Sequence, residues 1–590
     1  MLLQSLVLLL ASALNPGFSR PAQDATPAAE GSVLATHLTV EHRLDPEGLA
    51  SDRPRFGWWP TAVDPTARGL AQGGYRLRVA SAPELLAEGQ ADLWDSGFVP
   101  GRESVDIEYN GEPLRSGQQA FWQVQLSDER GRPGPFSAPQ RFSLGLLDPS
   151  DWSAEWIGFD QPVEAQRAAF GSAAWLGFPG GQDAPVGECR FEFDFAVAQP
   201  LAEARVRLSA YGGWRLSLDG DELAAGEAGG SAWHEVNSFE LRGALRPGPH
   251  RLEVRLTKAE PGPAGLLLAL DLTAADGAVT RLTSGPGWRA VDASGEPVAA
   301  PILGAHDQAP WAAGMRLPPA RLLRREFELE RAPRRATLHW TALGAVDVKL
   351  NGQPVGDGRL TPGWTDYRQR VLARSADVTA LLAPGANALG ALLADGWYAG
   401  YVGYGGQRDH YGPSPRLALE LHLEYEGGER QIVRSDSSWR ANVGHVLEAD
   451  LLMGETWDLR REPQGWDRPG FDASGWQPVD LGAPVSPRRE PHPGPPVRAV
   501  AEFTPVSSWK LGPGRFAFDL GQNIAGVARL TVAARPGQRF RLRFAERLDE
   551  NRQLYTQNLR GARATDTFIA RGEGREVFEP RFTFHGFQYV

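Results

Sequence analysis

Five side chains between Asp395 and Asp409 are of the types that hold a sugar: Asp395, Trp397, Tyr398, Arg408 and Asp409. Trp and Tyr present flat apolar faces with a polar edge, which suit the C–H face of a pyranose ring. Carboxylates and a guanidinium supply hydrogen bonds to its hydroxyls. The same pairing of aromatics with Gly and Asp recurs at Gly363-Trp364-Thr365-Asp366-Tyr367, at Gly465-Trp466-Asp467 and at Phe471-Asp472. The Gly-rich run Gly400–Gly412 is not a phosphate loop, because it lacks the Gly-Lys-Ser/Thr ending. A long aromatic loop carried on a rigid scaffold is a place for binding. Packing against another domain suits Asp395, Arg408 and Asp409 equally well, and any single Trp here can instead be a core residue of a β-sandwich.

Other chemistries have less to stand on. The 11 His are scattered without a His-x-x-x-His pair, so zinc is unsupported, and no metal ligands are assigned. No Asp-rich calcium loop is legible, although jelly rolls can take calcium, and no other cofactor is implied. The sequence has neither a Gly-x-Ser-x-Gly elbow nor a dinucleotide fingerprint. Glu546 and Asp549 form a carboxylate pair, but one so close in a strand and its turn reads as a solvated edge. Asp519, Gln522 and Asn523 form a second polar group, and Trp94-Asp95-Ser96-Gly97 reads as a strand end and turn. No catalytic residue is assigned. Cys189 is the single cysteine, which excludes an intrachain disulfide, and its strand-like surroundings make it a buried, inert thiol. A net charge of −11 argues against nucleic acid or an anionic membrane as the main partner.

The elements that must carry these residues are strands. The 590 residues exceed one core, and 68 Gly, 47 Pro and 19 Trp with few long helical patterns point to short strands joined by turns. The expected class is all-β, a tandem of β-sandwiches. Residues 1–32 read as a signal peptide and linker: the apolar run Leu6–Leu10 precedes Ala11-Ser12-Ala13, though no Lys or Arg precedes the run. That implies export, periplasmic or extracellular, and no segment is apolar enough to span a bilayer. Residues 33–150 alternate with period two, as at Tyr75–Val79 and Ala120–Leu126, and predict an immunoglobulin- or fibronectin-like sandwich. Residues 151–315 and 316–485 predict two jelly rolls, because they look like copies of each other. RLSLDGDELAAG (Arg215–Gly226) parallels DVKLNGQPVGDG (Asp347–Gly358), LRPGPHRLEVRL (Leu245–Leu256) parallels LAPGANALGALL (Leu382–Leu393), and Trp288 parallels Trp439. In each copy an Asp-Gly or Asn-Gly turn makes a hairpin. Sugar-contact candidates in the first copy are Trp214, Asp219, Trp233, His234 and Asn237, with a non-binding scaffold an equal reading. Residues 486–496 are Pro-rich and read as a linker, and residues 497–590 form a last sandwich.

The segments LTPGWTDY (Leu360–Tyr367), DGWYAG (Asp395–Gly400), GQRDHYG (Gly406–Gly412), GETWDLRRE (Gly454–Glu462) and GWDRPGFDASGW (Gly465–Trp476) occur in an order that resembles the N-terminal accessory region of bacterial α-L-rhamnosidases. FDLGQN (Phe518–Asn523), AERLDE (Ala545–Glu550), LYTQNLR (Leu554–Arg560), ATDTF (Ala564–Phe568) and FEPRFTFHGFQYV (Phe578–Val590) resemble the concanavalin-like sandwich that precedes the catalytic barrel in those glycoside hydrolases. RPRFGWW (Arg53–Trp59) and LWDSGFV (Leu93–Val99) resemble their opening domain. The resemblance implies hydrolysis of terminal α-L-rhamnosides with inversion, in an (α/α)6 barrel, and L-rhamnose-containing glycans or glycosides as partners. Inversion needs a carboxylic acid and a carboxylate base roughly 6.5–9.5 Å apart. A barrel needs about a dozen helices, and no such run is legible here. The expectation is therefore an N-terminal portion whose catalytic domain is a missing docking partner. A stand-alone exported carbohydrate-binding protein is the alternative, and a purely structural surface array a third reading.

Overall fold

The computed structural model describes residues 32–590, except 162–169, 180–185, 227–235, 242–244, 259–264, 292–294, 307–316, 404–407, 484 and 486. The run read as an export signal lies outside the described residues, as do Trp233 and His234. The chain divides into two compact units. The described helices are short, α1 (Pro83–Ala87) and α2 (Gly396–Ala399) with a few 3-10 turns. None is long and apolar enough to cross a membrane.

Among the described residues the smaller unit holds 32–45, Arg53–Glu112 and Ala120–Arg141. Strand Val33–Val40 pairs with Arg55–Ala62, which pairs with Ile107–Glu108. A second sheet sets Gln72–Ala80 against Gln119–Asp128. Alternation decides what faces inward: Tyr75, Leu77 and Val79 are buried while Arg76 and Arg78 are not. Trp58 and Trp122 fill the core, and Trp58 Nε1 donates to Gln72 Oε1 at 2.9 Å. Trp94–Asp95 is a strand end, as expected. Asp95 accepts from the Gly97 backbone, and chiefly its hydrogen bond to Arg76 pulls its carboxyl down to about 2.

The larger unit contains the two copies, and their strand orders coincide. In the first, one sheet runs Asp221–Gly226, Gly213–Leu218, Gly248–Lys258, Gly187–Val197, Arg289–Val291, Pro297–Ala299. In the second it runs Gln353–Pro354, Ala345–Leu350, Gly385–Ala394, Arg321–Leu329, Arg440–Val443, Gln477–Pro478. Asp219-Gly220 and Asn351-Gly352 turn the equivalent hairpins with positive φ at both residues, the geometry that matches strand twist. Trp288 Nε1 donates to the Thr283 carbonyl, and Trp439 Nε1 donates to that of Arg434, both at 3.0 Å.

The facing sheets coincide as well. Asn237–Glu240, Leu201–Tyr211, Gly265–Ala274, Ala174–Gly177 and Ile302–Ala305 correspond to Arg370–Asp377, Arg335–Leu343, Arg416–Glu424, Ile157–Gly158 and Asp480–Leu481. The second copy thus takes its first strand, Ile157–Gly158, from upstream of the first copy. Strands Ala174–Gly177 to Ile302–Ala305 are threaded between that strand and Arg321–Leu329. Cys189 is buried in the first copy's core, among Phe191, Leu216 and Val254. Leu338, Leu389, Ala391 and Leu419 pack the second.

Two further pairings join segments far apart. The Pro-rich stretch 486–496, read above as a linker, contains strand Arg488–Pro491, which pairs parallel with Arg370–Asp377. Proline at the end of an edge strand removes no ladder bond, so the composition permits this. Hairpin Val446–Asp450/Gly454–Asp458 adds to a sheet of the C-terminal region, where Gly454–Asp458 runs parallel to Thr565–Ile569 and the latter pairs with Arg539–Arg543. The rest of residues 497–590 forms the sheet Ser507–Gly512, Arg515–Gly526, His585–Tyr589 and the pairs Leu530–Ala533/Arg575–Phe578 and Arg547–Leu548/Leu554–Tyr555.

Candidate functional site

Strand Gly385–Ala394 delivers Asp395 to the end of the second jelly roll, where the chain turns into α2. Gly396 makes the turn at φ +51, and a Cβ there would lie 2.7 Å from the Ala345 backbone nitrogen, so the Asp-Gly pair is fixed by space as well as by conformation. Asp395 Oδ1 accepts from Arg321 Nη1 at 2.7 Å, and Oδ2 accepts from Arg408 Nη2. All three side chains are at most 3% exposed. Arg408 also donates to the Ala399 carbonyl, and its guanidinium lies 5.8 Å from the centroid of the buried Tyr401 ring. Arg321 Nη2, Arg408 Nη1 and the Tyr398 hydroxyl are buried without a hydrogen-bond partner among the described residues.

This corrects part of the reading from sequence. Asp395 and Arg408 come together, but inside the protein, and Tyr398 is buried separately against Tyr367. A buried charge requires a partner, and Arg321, which the sequence reading passed over, supplies one. Its signal was an Arg at the start of a strand, followed directly by the buried Leu322 and Leu323. Asp409 sits at the edge, about a third exposed, 3.6 Å from Arg408 Nε. Tyr404, within the Gly400–Gly412 run, lies outside the described residues.

Trp397 reaches the surface side of the cluster, half-buried. Its ring lies parallel to that of Trp364, to within 2°, with centroids 6.4 Å apart. Trp364 is 58% exposed. Beneath the pair, Tyr367 packs edge-on against Tyr398 and Tyr411, and Tyr367 Oη donates to the Gly363 carbonyl at 3.0 Å. Burial raises the pKa of the Tyr367 phenol. On the same loop as Trp364, Asp366 Oδ1 accepts from Arg368 Nε at 3.0 Å and Oδ2 accepts from Gln369 Nε2 at 3.0 Å. The Arg368 hydrogen bond leads the causes that hold the Asp366 carboxyl below its usual range. Trp364 was not among the candidates, although its Gly-Trp-Thr-Asp-Tyr setting has the same composition as Asp395–Tyr398.

A second polar cluster lies where the hairpin joins the C-terminal sheet. Glu455 is buried; its Oε1 accepts from the Arg581 and Phe582 backbones and its Oε2 from Trp457 Nε1 at 2.7 Å. Burial, followed by the nearby Asp566, pushes the Glu455 carboxyl up to about 8. Asp566 accepts from the Glu455 backbone and lies 3.2 Å from His585 Nε2. Such a proton-holding carboxyl is a form a general acid takes, but here every oxygen is committed to the fold.

The remaining candidates are dispersed. Glu546 accepts from Asn523 and Asn558, each at 3.2 Å, whereas Asp549 turns to the Asn551 and Gln553 backbones, so they do not act as a pair. Gln588 donates to Asp519. Trp214 is buried, and Asp219, its side chain 44% exposed, pairs with His250. Among the described residues no group of three or more His, Cys, Asp or Glu is placed to hold a metal ion.

Three domain families match the chain in series. Residues 35–148 match the Rha78A-like N-terminal immunoglobulin domain, 331–501 the α-L-rhamnosidase N-terminal domain, and 509–590 the bacterial α-L-rhamnosidase concanavalin-like domain. An α-L-rhamnosidase of Streptomyces avermitilis is 38% identical over 587 residues, covering 95% of this chain and 55% of that protein. One of Formosa agariphila is 27% identical, over 94% of this chain and 44% of that protein. The crystal structure of the Streptomyces avermitilis α-L-rhamnosidase complexed with L-rhamnose superposes with a TM-score of 0.77 at 36% identity, over 95% of this chain and 55% of that one. The Aspergillus terreus α-L-rhamnosidase shares the fold, at TM-score 0.62 and 24% identity, over 95% of this chain and 46% of that one. Residues 35–148, 331–501 and 509–590 thus match domain families of α-L-rhamnosidases, and the chain spans about half the length of the curated relatives it matches.

Proposed function

We propose that these residues are the N-terminal, non-catalytic portion of an exported α-L-rhamnosidase, whose hydrolysis of terminal α-L-rhamnosides with inversion is carried out by a domain outside them. The observation that carries this reading is the series of three rhamnosidase domain matches along a chain half the length of its relatives. The side-chain geometry supports it: the buried carboxylates Asp395, Glu455 and Asp566 are each tied into the fold, so none is poised to protonate a leaving oxygen or to hold a water. Export rests on the apolar run Leu6–Leu10.

The catalytic domain docks, on this reading, at the C-terminal region. There Phe516 and Phe518 project from one face of strand Arg515–Gly526 with Ala517 buried behind them, and Val506 precedes the neighbouring strand. All three apolar side chains are exposed, Phe516 by 58%. Contiguous apolar surface of this kind marks an interaction face.

The test is turnover of a chromogenic α-L-rhamnoside. The chain alone is expected to show none, and a fusion to the unmatched C-terminal part of the Streptomyces relative is expected to restore it. Turnover by the chain alone would overturn the reading, as would an inactive fusion that is folded.

A further inference from the structure

We infer that Trp364 is the platform of a carbohydrate-binding surface subsite, which takes a pyranose ring on the open indole face and its hydroxyls on Asp366 and Arg368. The inference goes beyond the function proposed above, because binding here requires no turnover and no catalytic domain.

Three features of the structure carry it. First, Trp364 is a large aromatic left 58% exposed, on a chain that buries Trp58, Trp122, Trp175, Trp439 and Trp466 almost completely. Secondly, the ring is held in place. Trp397 lies parallel to it at 6.4 Å between centroids, and the segments that carry the two indoles are joined by the Tyr367–Tyr398 and Tyr367–Tyr411 packing. A flat apolar surface that is already ordered loses little entropy when a ring settles on it. Thirdly, the polar groups on the same loop are oriented in advance. Asp366 is fixed by Arg368 and Gln369, and the Arg368 guanidinium lies over the Tyr411 ring at 5.3 Å. Asp366 and Arg368 nevertheless remain solvent-accessible, at 37% and 61%. A carboxylate and a guanidinium side by side present one acceptor and one donor array, which vicinal hydroxyls satisfy together. An apolar plane with a few polar groups beside it in the chain has the composition of a small-ligand site. A protein-docking role for Trp364 would call for further apolar neighbours. Apart from the buried Tyr367, its loop instead continues Thr365, Asp366, Arg368, Gln369, Arg370, with Arg370 tied to Thr365 and Glu490.

The experiment is saturation-transfer NMR and calorimetric titration of the full chain with L-rhamnose and with methyl pyranosides of gluco and galacto configuration. Trp364→Ala is compared with Trp59→Ala, a control in which an equally exposed Trp elsewhere in the chain is removed. The wild type is expected to transfer saturation most strongly to ring C–H protons. Trp364→Ala should lower affinity by about tenfold or more, Trp364→Phe less, and Trp59→Ala not at all. The inference is overturned if no sugar binds the folded wild type at millimolar concentration, or if Trp364→Ala binds as the wild type does. It is equally overturned if Trp364→Ala leaves sugar binding intact while weakening association with the relative's C-terminal part. Rhamnosidase turnover is not read in any arm, so failure here leaves the proposed function standing, and the reverse.

Discussion

Replacing Asp395 by Asn tests whether the buried charge cluster holds the second jelly roll together. The carboxylate sits between two guanidinium groups, Arg321 and Arg408, and all three side chains are shielded from water. The amide keeps the shape but removes the charge, and it turns an N–H₂ donor toward one of the two guanidiniums. Breaking a buried ion pair from one side typically costs about 3–5 kcal/mol, because the charge left behind has neither water nor a partner. For a unit of this size each kcal/mol lowers the midpoint by roughly 2–4 °C, so a fall on the order of 10 °C is expected. Calorimetry of the full chain measures it. Hydrogen exchange in strands Arg321–Leu329 and Gly385–Ala394, which flank the cluster, assigns the transition to this jelly roll. Asp409→Asn, at the partly exposed edge, should cost less than about 1 kcal/mol. Replacing the three paired side chains at once, Arg321→Met with Asp395→Leu and Arg408→Met, should recover part of the loss, since their mutual charges are removed together and the buried Asp450, which also faces Arg408, keeps its backbone donors. If Asp395→Asn shifts the transition by no more than Asp409→Asn and leaves exchange unchanged, the cluster does not stabilise the fold and the reasoning from burial fails.

Three further outcomes follow from the junction and the core. The folded-state pKa of Glu455, about 8, stands above the ordinary carboxyl value, so the native state binds a proton that the unfolded state releases. Its stabilising contribution is complete below about 4.5 and declines as pH rises toward 8. Glu455→Gln should remove that decline from a midpoint-against-pH series; an unchanged slope would count against a protonated Glu455. Gly454 sits at φ +94 with the Thr565 carbonyl 2.2 Å from where a Cβ would be. Gly454→Ala should therefore open the pairing of Gly454–Asp458 with Thr565–Ile569, seen as faster hydrogen exchange there and as new protease cuts in 446–458. Trp466→Ala, at a buried position stacked on Trp476, should cost about 3–5 kcal/mol in urea titrations resolved for this jelly roll.

Much of the fold was legible because it is local. Asp219-Gly220 and Asn351-Gly352 announce hairpins by residue type alone, and the strands around Tyr75 and Phe121 announce themselves by alternation. The relation between the two jelly rolls was legible because the turn chemistry repeats with the strands it joins. What could not be read is long-range pairing. Ile157–Gly158 is only two residues long, with nothing in its sequence to say that its neighbours in the sheet are Arg416–Glu424 and Asp480–Leu481. Arg488–Pro491 was hidden by its prolines. For the site, residue types pointed to the right region and to the wrong exposure. A carboxylate or guanidinium reads as surface until its partner is known, and Arg321 lies 74 positions before Asp395. Trp364 and Trp397 also come from separate segments, so their parallel stacking was invisible, although each lies in a Gly- and Asp-rich aromatic motif.

The parallel pairing of Gly454–Asp458 with Thr565–Ile569 has a consequence for synthesis. The hairpin emerges from the ribosome well before its partner, since Asp566 lies 111 residues beyond Glu455. At roughly 5–20 residues per second that is a wait of about 5–20 seconds with a strand edge unpaired. An unpaired edge is a template for aggregation unless charges interrupt it. Glu448, Asp450, Glu455 and Asp458 all lie on this hairpin, and in the unfinished chain they are hydrated and ionised. Only when Thr565–Ile569 and the Arg581-Phe582 backbone arrive does Glu455 take up its proton and become part of the interior. The same carboxyl thus keeps the nascent edge soluble while it is exposed and becomes part of the interior when the edge closes.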